Sequence, residues 1–392
     1  MYVSMICKNR NLKEKNEIYQ VLGALSHREA VQIEDLGDRV EIYVCPQGKI
    51  KVTEEEDSIL LSANTRHAGA GFHAFVVEFC KALQEEIEGE YELYDDLDFD
   101  QDEDFHRLYH IYEDELEYMR DLLLKEESVR QMNYMYDETY FLPMEKENRI
   151  LTCIGDLDRE EFKNMHLHDL MDNFYVWNEW ERDARFFKNA GLTLLAKEGN
   201  GEYSLMNEET VKNAHTICDY FELAYKDDSS IPLPKKTYQY LCEMLDREDK
   251  LKDAIEMEEE VIQYRLKEVY HLFEDAKVVA LGSCERSYDP VSQSLCLMSP
   301  YKEEGEWKYL IMASKSDQII EENEALKEEE ELAYNGKKVQ FHQWLEDGIF
   351  YLEALLKQED RTLYFHIVAN EEKEVPYLKQ CIKESGFQKD SQ

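Results

Sequence analysis

The sequence predicts a multidomain α+β protein, with mixed or antiparallel sheets at both ends and a largely helical centre. Three observations lead to this prediction: a length of 392 residues, β-prone runs near both termini, and amphipathic helical patterns between them. We expect an N-terminal α/β domain over 1–128, a helical central region over 129–276 and a C-terminal α/β domain over 277–392.

Short β-prone runs, separated by turn residues, fill the N-terminal region. The expected strands are 2–7, 31–33, 40–45, 50–52 and 59–62. Apolar residues at helical spacing predict helices over 14–25 and 72–83. We therefore expect a sheet covered by helices.

An acidic segment, residues 85–104, carries twelve carboxylates and no basic residue. Alternating aspartates suggest an EF-hand calcium loop, which has twelve residues. If this loop began at Asp96, Gln101 would stand where glycine is needed and Arg107 where the bidentate glutamate belongs. A solvated loop or a polar strand face is therefore predicted instead of a calcium site.

The next helix is predicted over 105–123, and one of its faces has residue types that bind divalent metals. His106, His110, Glu113 and Glu117 follow one another at helical spacing. The alternative is a solvated charged face that happens to include two histidines. We predict no cofactor, and these four residues are the candidate ligands if a divalent metal binds.

The central region predicts three helices and then a hairpin. Asp158 is suited to cap a helix, further helices fit 167–171 and 176–189, and a glycine turn at 199–201 separates runs 192–196 and 203–206. This order resembles a winged-helix module over 158–206, whereas no family is recognised for the whole chain.

The third helix of winged-helix proteins usually enters the DNA major groove. The resemblance therefore implies nucleic-acid contacts at Arg182, Arg185 and Lys188. Because Glu179, Glu181 and Asp183 balance these cations, the helix lacks the basic patch that DNA binding needs. Docking of a protein is the other use of such a module.

The remaining elements complete the α+β pattern. The expected helices are 211–221, 319–332, 341–356 and 375–385, with a long helix or a helical hairpin over 237–274 and a linker or corner at 227–236. The expected C-terminal strands are 278–282, 294–298, 308–313 and 362–369.

The charge balance restricts the class of partner. The chain has 87 acidic and 45 basic side chains, a net charge of −42 with histidine neutral. This argues against binding nucleic acid or an anionic membrane, because both are recognised mainly by Lys and Arg. No apolar stretch suits a membrane span or a secretion signal. Nine dispersed cysteines without a C-x-x-C pair indicate a reducing compartment, so we expect a cytoplasmic protein.

The segment 62–73 is the strongest candidate for a ligand site, because it leads from a strand into the N-terminus of a helix. Free N–H groups at such an end favour an anion, and glycines permit its close approach. The candidate ligand-binding residues are Asn64, Thr65, Arg66, His67, Gly69, Gly71 and His73. The alternative is a structural turn, because the segment lacks the Lys-Ser/Thr and the third glycine of known phosphate loops.

Catalytic signatures are otherwise sparse, since neither G-x-S-x-G nor H-E-x-x-H occurs. We predict a non-catalytic interaction or regulatory protein that presents an acidic surface to another, basic protein. The alternatives are an enzyme or a sensor of a small anion or nucleotide at 62–73, and a winged-helix DNA-binding regulator. A further alternative is that the acidity only maintains solubility.

Overall fold

The computed structural model describes residues 1–125, 144–145, 149–152, 154, 156–198, 208–257, 268–299, 301–302, 306–316, 328–331 and 336–387. The chain divides into two compact units. One comprises Met1–Phe141, Ile150–Glu198 and Leu205–Val261, and the other comprises Leu142–Arg149, Gly199–Ser204 and Ile262–Gln392. Much of the predicted helical region thus belongs to the same unit as the N-terminal sheet.

The first unit contains a six-stranded antiparallel sheet. Its strands are β1 (Tyr2–Lys8), β2 (Gln32–Asp35), β3 (Val40–Cys45), β4 (Gly48–Glu54), β5 (Ile59–Asn64) and β6 (Glu90–Asp95). They lie in the order β2-β3-β4-β5-β1-β6, so β2 and β6 are the two edges. Alternate residues of β1 are buried, and α2 (Ala70–Glu86) packs against this strand, whereas α1 (Leu12–Arg28) packs against α2 and β2.

Most of the other described elements of this unit are helices. They are α3 (Phe99–Asp102), α4 (Phe105–Lys125), α5 (Arg159–Asn164), α6 (Leu167–Phe174), α7 (Ala184–Glu198), α8 (Glu208–Asp227) and α9 (Lys235–Met244). Capping side chains explain several starts: Asn11 and Glu14 form a capping box at α1, and Asp158 accepts two N–H bonds at α5.

The second unit is rich in antiparallel sheet. A four-stranded sheet joins β7 (Met144–Glu145), β10 (Glu268–Phe273), β11 (Ala276–Leu281) and β21 (Gly386–Phe387). A seven-stranded sheet joins β12 (Glu285–Asp289), β13 (Ser294–Met298), β16 (Tyr309–Ser316), β17 (Glu328–Glu331), β18 (Lys338–Glu346), β19 (Ile349–Gln358) and β20 (Arg361–Ala369). Helix α10 (Val375–Glu384) packs against β11 and β19. The short ribbon of β14 (Tyr301–Lys302) and β15 (Glu306–Trp307) also belongs to this unit, whereas the ribbon of β8 (Arg149–Leu151) and β9 (Asp156–Asp158) lies in the first unit except for Arg149.

The predicted fold class is confirmed: the chain is α+β, with antiparallel sheets at both ends and helices in the centre. The predicted helix over 341–356 is wrong, because these residues form β18, a turn and β19. Asp347 and Gly348 have φ of 50° and 83°, as a two-residue hairpin turn requires. The Asp-Gly pair was therefore the signal for a hairpin.

Two other helix predictions need correction. The helix predicted over 237–274 ends at Met244, where the chain reverses and Arg247 donates to Glu222 of α8, at 3.0 Å from its Nε. Of that range, 258–267 lie outside the described residues, and 268–273 are strand β10. The helix predicted over 319–332 is β17 at 328–331, while 317–327 are not described.

The winged-helix resemblance is only partly covered by the described residues. The third helix begins at Ala184 instead of 176, because Asp183 accepts the N–H of Phe186 at 2.8 Å and starts α7 there. Since α7 continues to Glu198, residues 192–196 are helical and do not form the first strand of a hairpin. Residues 199–207 lie outside the described ranges, so the remainder of the hairpin stays a prediction.

No disulfide joins the eight described cysteines, and all of them except Cys296 are buried. Cys153 is outside the described residues. No described helix is both long and apolar enough to cross a membrane.

Candidate functional site

The predicted ligand loop connects β5 to α2. Asn64 ends β5, and its side-chain Oδ1 accepts the N–H of Arg66 at 3.1 Å, which is a local turn bond. Gly69 precedes the helix with φ of 110°, a backbone conformation that residues with a Cβ rarely adopt. The loop therefore has the backbone that was expected of it.

The N-terminus of α2 is occupied by the protein's own backbone. The N–H of Gly71 donates to the carbonyl of Trp177 at 3.0 Å, and the N–H of Trp177 donates to the carbonyl of Ala68 at 2.8 Å. A Cβ at Gly69 would lie 2.3 Å from Trp177 O, and one at Gly71 would lie 2.2 Å from the indole. These glycines thus permit close approach of residue 177, in the position where an anion was expected.

A hydroxyl, an imidazole and a carboxylate form a buried chain behind the loop. Thr65 Oγ1 lies 2.8 Å from His73 Nδ1, and His73 Nε2 lies 2.9 Å from Asp95 Oδ1. The side chains of His73 and Asp95 have no exposed area, and Thr65 is likewise 0% exposed. We call these three residues the buried relay.

Asp95 holds the relay at the end of β6. Its Oδ1 also accepts the N–H of Leu97 at 2.9 Å, and its Oδ2 accepts that of Asp100 at 3.1 Å. Burial alone would raise the pKa of Asp95, but His73 and the two backbone donors outweigh it and lower that pKa. Because an ionised carboxylate only accepts hydrogen bonds, Nε2 of His73 carries the hydrogen.

The relay has the residue types of a nucleophilic catalytic triad, but unlike such a triad it is enclosed by other side chains. Rings of Phe99 and Tyr112 lie edge-on to His73 at 6.3 Å each, and Tyr112 donates to the carbonyl of Thr65 at 2.9 Å. A nucleophile must reach its substrate, whereas Thr65 has no exposed surface. The arrangement instead ties the loop, α2 and β6 together through satisfied buried polar groups.

The other polar residues of the loop differ from the relay in exposure and in partners. Arg66 is exposed and pairs with Glu115 of α4, Asn64 is exposed, and His67 is half-buried. Sequence reasoning assigned Asp95 only to the acidic segment and missed its bond to His73.

The four candidate metal ligands lie on α4, as expected, but their nearest partners are each other and an arginine. His106 and His110 have Nε2 atoms 3.3 Å apart, His110 Nδ1 lies 2.8 Å from Glu113, and Glu117 lies 3.6 Å from Arg120. No group of three or more His, Cys, Asp or Glu suited to a metal occurs in the described part of the chain.

The three candidate nucleic-acid contacts do not share an exposed ridge. The Arg182 guanidinium donates to the carbonyl of Glu29 at 2.8 Å and lies over Phe75, Trp177 and Phe186 at 5.0–5.8 Å from the ring centres. Burial lowers the pKa of Arg182, and burial followed by Arg185 lowers that of half-buried Lys188. Arg185 is exposed and pairs with Asp172.

The sequence matches no protein-family model and no curated protein, and the fold matches no solved structure.

Proposed function

We propose that the chain is a non-catalytic cytoplasmic interaction protein that presents an acidic surface to a basic protein partner. This surface, which we call the acidic edge, consists of the exposed carboxylates of the acidic segment, residues 85–104. The observation that supports this is the position of the acidic segment. Residues 90–95 form β6, the edge strand beside β1, so one side of β6 has no neighbouring strand in the six-stranded sheet. Glu90, Glu92 and Tyr94 are its exposed side chains.

The acidic edge retains excess negative charge after its local ion pairs. Ten of the twelve carboxylates in 85–104 are exposed, Asp95 being buried and Asp100 half-buried. Within the described residues, five cations pair with them: the N-terminus, Lys8, Arg28, Lys81 and Arg107. A field of one sign accelerates association with an oppositely charged protein.

The non-catalytic part of the proposal follows from the buried relay. Thr65, His73 and Asp95 have the residue types for acid-base chemistry, but Thr65 and the side chains of His73 and Asp95 are 0% exposed. A substrate would have no route to the hydroxyl without displacement of the surrounding core. Binding through the acidic edge needs no such opening.

Two uses of the same charge involve no partner at all. Charged residues on an edge strand prevent strands of other molecules from pairing with it, and net charge maintains solubility. Neither use requires a basic ligand to prefer this edge over other acidic surfaces. A binding comparison between two acidic surfaces therefore separates both uses from the proposed interaction.

The probe is a fluorescent oligolysine peptide, and binding is measured by fluorescence anisotropy at low and high salt. The test variant combines Glu88→Gln, Glu90→Gln and Glu92→Gln, and the control combines Glu243→Gln, Asp246→Asn and Glu248→Gln, all exposed. At about 0.5 kcal/mol per neutralised charge, the test variant should lose about tenfold in affinity at low salt. High salt should reduce that difference.

The control variant should lose no more than about twofold. Equal losses in the two variants would mean that the peptide senses only total charge, and the proposed acidic edge would be refuted.

A further inference from the structure

The first unit contains a cleft of about 750 Å³, and none of the three relay residues lines it. It lies among the start of β2, the turn between β3 and β4, and helices α7 and α8. A volume of this size is in the range of small-molecule sites. Its walls combine polar and apolar groups, which suits a ligand with both.

The turn that forms one wall is tightly held. Gln47 has φ of 72°, a left-handed conformation that is uncommon for residues other than glycine, asparagine and aspartate. A Cβ at neighbouring Gly48 would lie 2.6 Å from Cys45 Sγ and 2.9 Å from the ring of Phe72. The turn thus packs against Phe72 of α2, and Gln47 precedes the glycine at that contact.

Two buried oxygens in these walls have no hydrogen-bond partner among the described residues. They are Oε1 of Gln47 and Oγ1 of Thr193, a residue that is 1% exposed. A threonine within a helix commonly bonds the carbonyl four residues earlier, and the Thr193 hydroxyl makes no such bond. Buried polar groups nearly always have partners, so two unpaired oxygens in the walls of one cleft are consistent with a ligand that supplies hydrogen-bond donors to both.

The charges around the cleft disfavour an anionic ligand. Glu34, Glu208 and Glu209 line it, together with Lys212 and Lys49. Lys49 lies 3.1 Å from Glu41, so a buried carboxylate already compensates its charge. The remaining acids outnumber the remaining lysine, and a phosphate or carboxylate would meet net repulsion.

The rings and the amide specify the ligand further. Tyr43 and Tyr220 line the cleft, and tyrosine rings bind flat ligands by stacking or edge contacts. Gln47 offers an amide oxygen that requires an N–H or O–H donor. We propose that the cleft binds a small uncharged heterocycle with N–H donors, of the nucleoside class, and that the side chains of Gln47 and Thr193 rotate on binding so that their buried oxygens accept from it.

Isothermal titration calorimetry with adenosine, inosine, cytidine and uridine, each tested alone on the full chain, examines the proposal. We expect saturable binding of at least one nucleoside, and weaker binding of adenosine monophosphate than of adenosine. Absence of saturable binding by all four nucleosides would overturn the proposal, and so would tighter binding of the monophosphate.

Thr193→Val separates a ligand role from a structural one. The isosteric change removes a buried hydroxyl without a partner, so Tm of the unliganded protein should rise by about 2–4 °C. The same variant should bind the nucleoside about tenfold more weakly. Thr216→Val is the stability control, because the Thr216 hydroxyl already donates to the carbonyl of Lys212 at 3.0 Å and its loss should not raise Tm.

Gln47→Asn provides a second binding variant, since asparagine keeps the amide and tolerates the positive φ but has a shorter side chain. It should also weaken binding. Unchanged affinity in both Thr193→Val and Gln47→Asn would overturn the assignment of these residues, whatever the result of the oligolysine experiment.

Discussion

Asp95→Asn should destabilise the first unit, although the substitution preserves the shape of the side chain. The carboxylate of Asp95 accepts three hydrogen bonds, from His73 Nε2, Leu97 N and Asp100 N, at 2.9, 2.9 and 3.1 Å. The amide of the variant replaces one oxygen with an NH₂ group. Whichever way it is oriented, an N–H group then faces at least one of these donors.

The size of the effect follows from these bonds. A hydrogen bond to a charged group contributes about 1.5–3 kcal/mol, and a buried donor left without an acceptor costs about 1–3 kcal/mol. Leu97 and Asp100 are only half-buried, so water can partly satisfy their N–H groups, whereas His73 is 0% exposed. We expect a loss of about 2–4 kcal/mol in the free energy of unfolding at neutral pH.

The effect should depend on pH with a definite sign. Folding lowers the pKa of Asp95 below the value of about 3.9 that is typical of an unfolded chain. Its carboxylate therefore contributes stability above about pH 4, and this contribution is lost as the pH falls through the lower, folded-state pKa. The difference between wild type and Asp95→Asn should narrow in acid below about pH 4.

Urea unfolding followed by circular dichroism measures both effects, with Asp98→Asn as the matched control. Asp98 is exposed and has φ of 56°, a conformation that asparagine tolerates, so its replacement should change stability by less than about 0.5 kcal/mol. If Asp95→Asn were as mild as this control at neutral pH, the buried relay would not stabilise the fold and the reasoning would be refuted.

Two further predictions concern other buried contacts of the same unit. Gly71→Ala should lower the free energy of unfolding, measured in urea, by at least about 2 kcal/mol, because its Cβ would lie 2.2 Å from the Trp177 indole. The control is Gly23→Ala, which has nothing within 4 Å and should stabilise α1 by about 0.5–1 kcal/mol. Similar effects of the two changes would contradict the prediction. Glu41→Gln should lower the free energy of unfolding by about 1–3 kcal/mol at neutral pH. Burial opposes ionisation of Glu41, but hydrogen bonds from Arg39, Tyr43 and Lys49 lower its pKa to about 2. The loss of stability, measured by urea unfolding, should therefore disappear as the pH falls from about 4.5 towards 2, and a loss independent of pH would refute the prediction.

Local patterns were sufficient to predict much of the N-terminal sheet. The strand predicted over 40–45 matches β3, and the helix predicted over 72–83 lies within α2. Here alternation and helical spacing agree with turn residues at the boundaries. At 341–356 the same apolar density fitted both periods, and only the Asp-Gly turn distinguishes a hairpin from a helix.

The position of the candidate site was predicted better than its use. A strand, a glycine-containing loop and a helix N-terminus occur where expected, and Asn64 makes a local turn bond. What fills the helix N-terminus is the carbonyl of Trp177, more than a hundred residues away in the sequence. A contact so distant leaves no local pattern, and a helix N-terminus accepts a backbone carbonyl as readily as it accepts an anion.

The histidines of this loop illustrate why residue type alone does not identify function. His67 and His73 are six residues apart, but His73 is fully buried and bound to Thr65 and Asp95, whereas His67 is half-buried. A buried imidazole between a hydroxyl and a carboxylate satisfies three polar groups at once, which is a sufficient reason for its presence in a core. Gln47 and Thr193, by contrast, each have a buried oxygen without a partner among the described residues. A satisfied buried network offers a ligand no free donor or acceptor, so the cleft whose walls hold these two unpaired oxygens is the better place to seek a bound molecule.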